Sequence, residues 1–451
     1  MKFLKLIFCL LFIYFFITNL VCLNSFAETF DVTNFAELES VLTTSRSLLN
    51  EKHTIRIMGD ILFDSSISEA INLELLGQSD IGNFNIILNG KTLTFNGIGK
   101  ESKILDLNIL ANAVNSGIIN NNQTLNIDNS KIIGKVARNI ELIRNYSGTL
   151  NITDSTLSDN KASQNGAAIS CIWNSNLYIK GSNILNNSGL NGGGIYFNNG
   201  VANIQSGKFL GNNASSYEGA IYVNGGNFQV KDSTLNNNTS NAGAGSLYIN
   251  SNANMTLDNT KFNNNRVTSG STGGAIWNKG ELTIKNNSSF TNNSVLMGSG
   301  GAISNSGNLK ITDTLFENNT SKQDGGAITD NGTSIISNSI FRNNKSLELY
   351  GGAITSVRNI DITKSIFENN SAKTFGGAIT TFSGNANISD STFTSNTAEG
   401  SLGGGVIINY RNNLNLKGDN LFQNNTSKTN GGAITATTDS VTNIESGKNF
   451  I

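Results

Sequence analysis

The chain has no proline among its 451 residues, a single histidine, and three cysteines, two of which (Cys9 and Cys22) fall within the first 27 residues. Each shortage removes a class of explanation. Only Cys171 remains beyond that segment, so no internal disulfide can form and no zinc-type Cys/His spacing exists. The single histidine, His53, lies ahead of the repeats described below and reads as a surface or cap-packing residue rather than a catalytic one. A formal net charge of −1 argues against a nucleic-acid partner. The calcium-binding nonapeptide GGxGxDxUx does not occur, so no metal is expected. Missing proline suits strands paired on both sides, which need every backbone N–H. A codon bias toward Asn, Lys and Ile would have the same effect.

What the chain has instead is a repeat. Gly300–Asp324 reads GGAISNSGNLKITDTLFENNTSKQD, and Gly325 starts the phrase again. The isoleucine of GGAI, or its substitute, falls at Ile169, Ile195, Ile221, Leu247, Ile276, Ile303, Ile328, Ile354, Ile379, Val406 and Ile434. A second marker keeps the same beat at Leu157, Ile184, Phe209, Leu235, Phe262, Phe290, Phe316, Phe341, Phe367, Phe393 and Phe422. Each of these is followed three residues later by Asn, from Asn160 to Asn425.

A period in this range signals a solenoid, propeller or array. Gly and Asn dominate the unit and no 3.6-residue periodicity runs through it, which excludes helical repeats. Short alternating segments such as Leu309-x-Ile311, Leu282-x-Ile284 and Leu414-x-Leu416 are strand-like, and Gly and Asn punctuate them. One unit therefore predicts one lap of an all-β, right-handed parallel β-helix of the pectin-lyase-like kind, with three short strands and three turns. Successive laps stack at roughly 4.8 Å. The GGAI isoleucine, the Leu-x-Ile pair and the Phe should point inward. Gly-Gly should supply a bend in which a Cβ would obstruct the next coil, and Asn should occupy left-handed turns and form an amide ladder.

In chain order, residues 1–27 read as a signal peptide. Lys2 and Lys5 precede a long Phe/Leu/Ile stretch and a small-x-small site, Ser25-Phe26-Ala27, with cleavage expected after Ala27. The apolar stretch is also long enough for an uncleaved anchor. Cys22 follows Val21, which does not suit a lipoprotein site. Residues 28–58 should form an N-terminal cap built on an amphipathic helix presenting Phe35, Leu38, Val41 and Leu42, started by an Asn34/Glu37 capping box. Residues 59–160 read as irregular coils and 161–451 as regular ones, in one continuous domain, with the sequence stopping in mid-coil at Ile451.

The interleaved GGAI and FxxN tetrads, over about 157–451, resemble those of the chlamydial polymorphic outer-membrane proteins and related autotransporter-like adhesins. Gly273–Ile276, Gly300–Ile303, Gly325–Ile328, Gly351–Ile354, Gly376–Ile379 and Gly431–Ile434 carry the first motif unaltered. The resemblance implies a secretion signal, a β-helical passenger at the cell surface or outside the cell, and adhesion to a host-cell or cell-surface protein or glycan. It also implies a C-terminal membrane barrel, which this sequence does not contain. Envelope association would then run through an anchor outside it.

Polysaccharide lyases and hydrolases share this fold and use clustered carboxylates. Asp154, Asp232, Asp313 and Asp390 recur two residues after the strand Ile and read as turn formers. Glu317, Arg342 and Glu368, one per coil, read as a surface charge ladder. No catalytic residue or cofactor is therefore expected. The sharper candidate is the residue after the GGAI isoleucine, which should face outward. On four successive coils it is Tyr196, Tyr222, Tyr248 and Trp277, with Ser170 before them and Ser304, Thr329, Thr355 and Thr380 after. This stripe is either a coil-on-coil stack or a platform for a glycan or partner protein. A purely structural surface protein is the remaining alternative.

Overall fold

The computed structural model describes residues 29–45, 52–77, 84–134, 137–138, 140–217, 219–400, 403–437 and 439–445. The leader at 1–27, its cleavage site at Ala27 and the last residues, 446–451, lie outside the described residues.

Among the described residues the strands form three parallel sheets of 28, 15 and 12 strands, wound into a right-handed solenoid. A representative lap runs through Ile303–Asn305, Asn308–Thr312, Leu315–Glu317 and Thr320–Ser321. Its first two strands share the largest sheet, so the lap has three faces but four strands. On three successive coils an inward Asn or Asp closes the turn between the first two strands. Asn305 accepts from Gly307 N–H at 3.2 Å and donates to Gly307 C=O at 3.1 Å. Asn278 does the same at Gly280, and Asp330 accepts from Gly332 N–H. Such side-chain bonds replace ladder geometry by a turn. Where the same inward position holds Cys171, Phe197, Val223 or Ile249, no such bond exists and the face is one strand of 11 or 12 residues.

The inward columns are as the repeat predicts. Ile303, Ile328, Ile354 and Ile379 pair in register and are fully buried. From Phe262 to Phe422 the Phe rings stack with centroids 4.7–4.9 Å apart and planes within 13°. One register differs from the sequence reading. Ile379 pairs with Ile407, which pairs with Ile434, so Val406 takes the alanine place and not the isoleucine place. Three glycines, Gly403–Gly405, allow either alignment in sequence, and the pairing resolves it.

The Asn column is a continuous ladder. From Asn160 to Asn425, each Nδ2 donates to the Oδ1 of the next coil at 2.6–3.1 Å. The residue just before it in each turn, most often Asn, takes the left-handed conformation, for example Asn318 and Asn343 at φ 56° and 55°. Adjacent asparagines thus divide the work: one makes the corner and the other ties coils together.

At the N-terminal end, helix Phe35–Ser45 buries Phe35, Leu38 and Leu42 in the same core, with Val41 packed against it and the Phe35 ring 5.2 Å from that of Phe63. Asn34 Oδ1 accepts from Glu37 N–H, but Glu37 returns to Thr33 N–H at 2.7 Å and not to the cap residue. The 28–58 segment is also more than a cap. Strand Thr29–Val32 pairs with Lys52–Ile57, which pairs with Asn72–Gly77, so solenoid strands flank the helix. His53 lies on that strand, fully buried in register with Leu73, rather than ahead of the coils. Its chain position suggested a preface, but strand pairing had already begun there.

Candidate functional site

Tyr196, Tyr222, Tyr248 and Trp277 occupy one register position on successive coils, on the side of the strand opposite the buried isoleucines. Backbone alternation requires this. The rings lie against each other. Tyr196 and Tyr222 are 5.1 Å apart and stacked at 25°, Tyr222 and Tyr248 are 4.8 Å apart at 31°, and Trp277 meets Tyr248 edge-on at 72°. The faces between the three tyrosines are therefore spent on one another along the solenoid axis, while Trp277 meets the stack edge-on. Tyr248 is only 6% exposed and the other three are half-buried. Burial pushes the Tyr196 hydroxyl above its ordinary pKa. Lys279 Nζ sits 4.1 Å from the Trp277 ring centroid and 5.5 Å from that of Tyr248, a cation–π lid on the end of the stack.

The Ser/Thr positions that follow face away from the core but are covered. Thr329, Thr355 and Thr380 donate through Oγ1 to the carbonyls of Asp324, Tyr350 and Phe375, the residues just before each Gly-Gly. That fold-back brings together a second aromatic group that the repeat markers did not indicate. Tyr350 and Phe375 stack at 4.2 Å, while Phe382 is edge-on to Tyr350 and Tyr410. Arg411 lies 5.4 Å from the Tyr410 ring centroid. The signal was an aromatic immediately before Gly-Gly on two successive coils, a position outside both tracked columns.

The acidic residues weighed for catalysis do not converge. Asp154, Asp232, Asp313 and Asp390 all adopt φ of 46–51° at one corner, as turn residues do. Asn259 donates to Asp232 Oδ1 at 2.7 Å, and Asn338 donates to Asp313. Burial raises the Asp330 and Asp324 carboxyls above the usual range, and Asp330 is fully enclosed. Among the described residues no group of three or more His, Cys, Asp or Glu is placed to hold a metal ion, and no helix is long and apolar enough to cross a membrane. Glu317 and Glu368 flank Arg342 at 3.5 and 2.9 Å, completing the expected charge ladder.

With three-faced coils, inward Ile and Phe columns and an Asn ladder in place, the class is that of right-handed parallel β-helices. Residues 193–359 match the family described as the right handed beta helix region. Within that class, residues 364–382 and 421–437 match the Chlamydia polymorphic membrane protein repeat, so the chain carries the repeats of that family. No curated protein and no solved structure matches the chain.

Proposed function

We propose that this protein is a non-enzymatic, adhesin-like passenger, exported and presented at a cell surface or released from it. In this reading its aromatic flank binds a protein on a host or neighbouring cell. The observation that carries the reading is the stacked Tyr196–Trp277 column beside the outward strand face. Half-buried tyrosine edges with polar tips are typical anchors of protein interfaces. Stacking covers the faces between the three tyrosines and Lys279 sits over Trp277, which favours a protein over a glycan at this site. Export is supported by the Lys2–Ala27 leader pattern, and surface display by the repeat family.

The test is cell binding by the chain with Tyr196, Tyr222, Tyr248 and Trp277 replaced by Ser, beside a milder form with the three tyrosines changed to Phe. We expect the Ser form to lose binding while its circular-dichroism spectrum keeps the β signature. The Phe form should fold normally and bind more weakly. Unchanged binding in both forms would assign the stripe to coil stacking alone. Release of reducing sugars from a polysaccharide would overturn the non-enzymatic reading.

A further inference from the structure

One groove of the solenoid lies on a different face from the aromatic stripe. It has a volume of about 540 Å³ and runs across successive coils beside the sheet that contains the Phe column. One wall is aliphatic: Leu315, Ile340 and Ile366 pair in register and point outward, with Ile366 41% exposed. The facing wall consists of the left-handed corner residues Asn287, Asp313, Asn338 and Lys364. Lys261 and Lys364 belong to the first and last coils of the groove, and neither takes part in an ion pair among the described residues.

We infer that this groove binds an extended anionic glycan lying along the solenoid axis. Each wall contributes one residue per coil, about every 4.8 Å, so the groove suits a polymer whose unit advances by a similar step. An extended pyranose chain does so. An extended peptide advances by about 3.3 Å per residue, which is out of step with the coils. A peptide also cannot add to the sheet here, because the backbone at the groove floor is already used. Leu315, Ile340 and Ile366 donate their N–H groups to Ser288, Thr314 and Ser339 at 2.9–3.0 Å. Recognition is left to side chains: the C–H face of each sugar against Leu315, Ile340 and Ile366, and carboxylates at the two terminal lysines. Asp313 in the middle is held by the Asn338 amide, so two lysines against one carboxylate leave the groove net positive.

The experiment is calorimetric titration of the full chain with a short oligomannuronate, and with a neutral glucan of equal length, at low and high salt. The expected result is selective binding of the uronate that weakens with salt. It should fall about tenfold or more in Lys261→Ala/Lys364→Ala. Ile340→Ser, a change on the outward wall, should weaken it as well. The tyrosine-stripe variants should leave it unchanged, which separates this site from the adhesive flank. No uronate binding, equal binding of the neutral glucan, or uronate binding indifferent to the lysine pair would overturn the inference.

Discussion

Asn344 and Asn370 are joined by two hydrogen bonds of 3.0 Å, from the Asn344 backbone N–H and from its side-chain Nδ2, both received by Asn370 Oδ1. The same Nδ2 reaches back to Phe316 C=O at 3.0 Å, so one amide binds the coil on either side. Asn344 Oδ1 in turn accepts both donors of Asn319. Replacing Asn344 by Ala therefore strands several buried polar groups at once, each costing about 1–3 kcal/mol. We expect local destabilisation of at least roughly 3 kcal/mol. Hydrogen exchange at the 319 and 344 amides should register it, with little change several coils away, because each coil contacts only its neighbours.

Phe341 sits in the stack 4.7 Å from both Phe316 and Phe367. Phe341→Ala opens a cavity with two ring faces on it and should cost about 3–5 kcal/mol. Phe341→Leu should cost distinctly less. Denaturation followed by exchange in the 316–367 coils checks the order of the two.

Gly326 tests the tight approach of coils. A Cβ there would lie 2.0 Å from Gly352 C=O, a backbone atom that cannot swing away. Gly326→Ala should break the coil locally, seen as proteolytic cleavage between the Gly-Gly bends. Gly99, whose added Cβ meets nothing within 4 Å, should lose only the ease of its positive φ of 74° on the same substitution.

Asp330 predicts the direction of pH dependence. Burial raises its folded pKa, opposed by hydrogen bonds from Asn305, Gly332 and Ser356. The folded chain thus holds the proton more tightly than the unfolded one. The resulting stabilisation is full below the ordinary carboxylate pKa of about 3.9 and is lost as pH rises through the folded value. Protection of the 305–356 coils should therefore increase on acidification from neutral pH into that window. Asp330→Asn keeps the acceptor for Asn305 Nδ2 at 2.7 Å and should flatten the dependence while raising neutral-pH stability. A dependence that survives this substitution would assign it to another group.

The parts legible in the sequence are those in which a side chain meets the same surroundings on every coil. Phe316 and Asn319 recur because the coil above and the coil below both require them, so a period of about 26 residues exposed fold, core and ladder together. What stayed hidden was local. Gly403–Gly405 concealed which of Val406 and Ile407 keeps register, and strand pairing within 28–58 leaves no periodic trace in so short a segment. The outward direction of Tyr196 followed from alternation, but the mutual stacking that hides the ring faces depends on rotamers. Tyr350 and Phe375 recur one coil apart just before Gly-Gly, but their burial against each other depends on the chain folding back there.

The Asn column has an arrow. Every rung from Asn160 to Asn396 donates toward the higher-numbered coil, so neighbouring coils are interchangeable in translation but not in inversion. A whole coil excised between equivalent residues would bring a donor to an acceptor of the same kind, and the rungs would close over the gap. A half-coil excision would set the Nδ2 of one coil against an unrelated position of the next, about 13 residues out of register. The protein can thus be shortened or lengthened only in whole quanta, like a stack of keyed washers, with its cross-section unchanged at every permitted length.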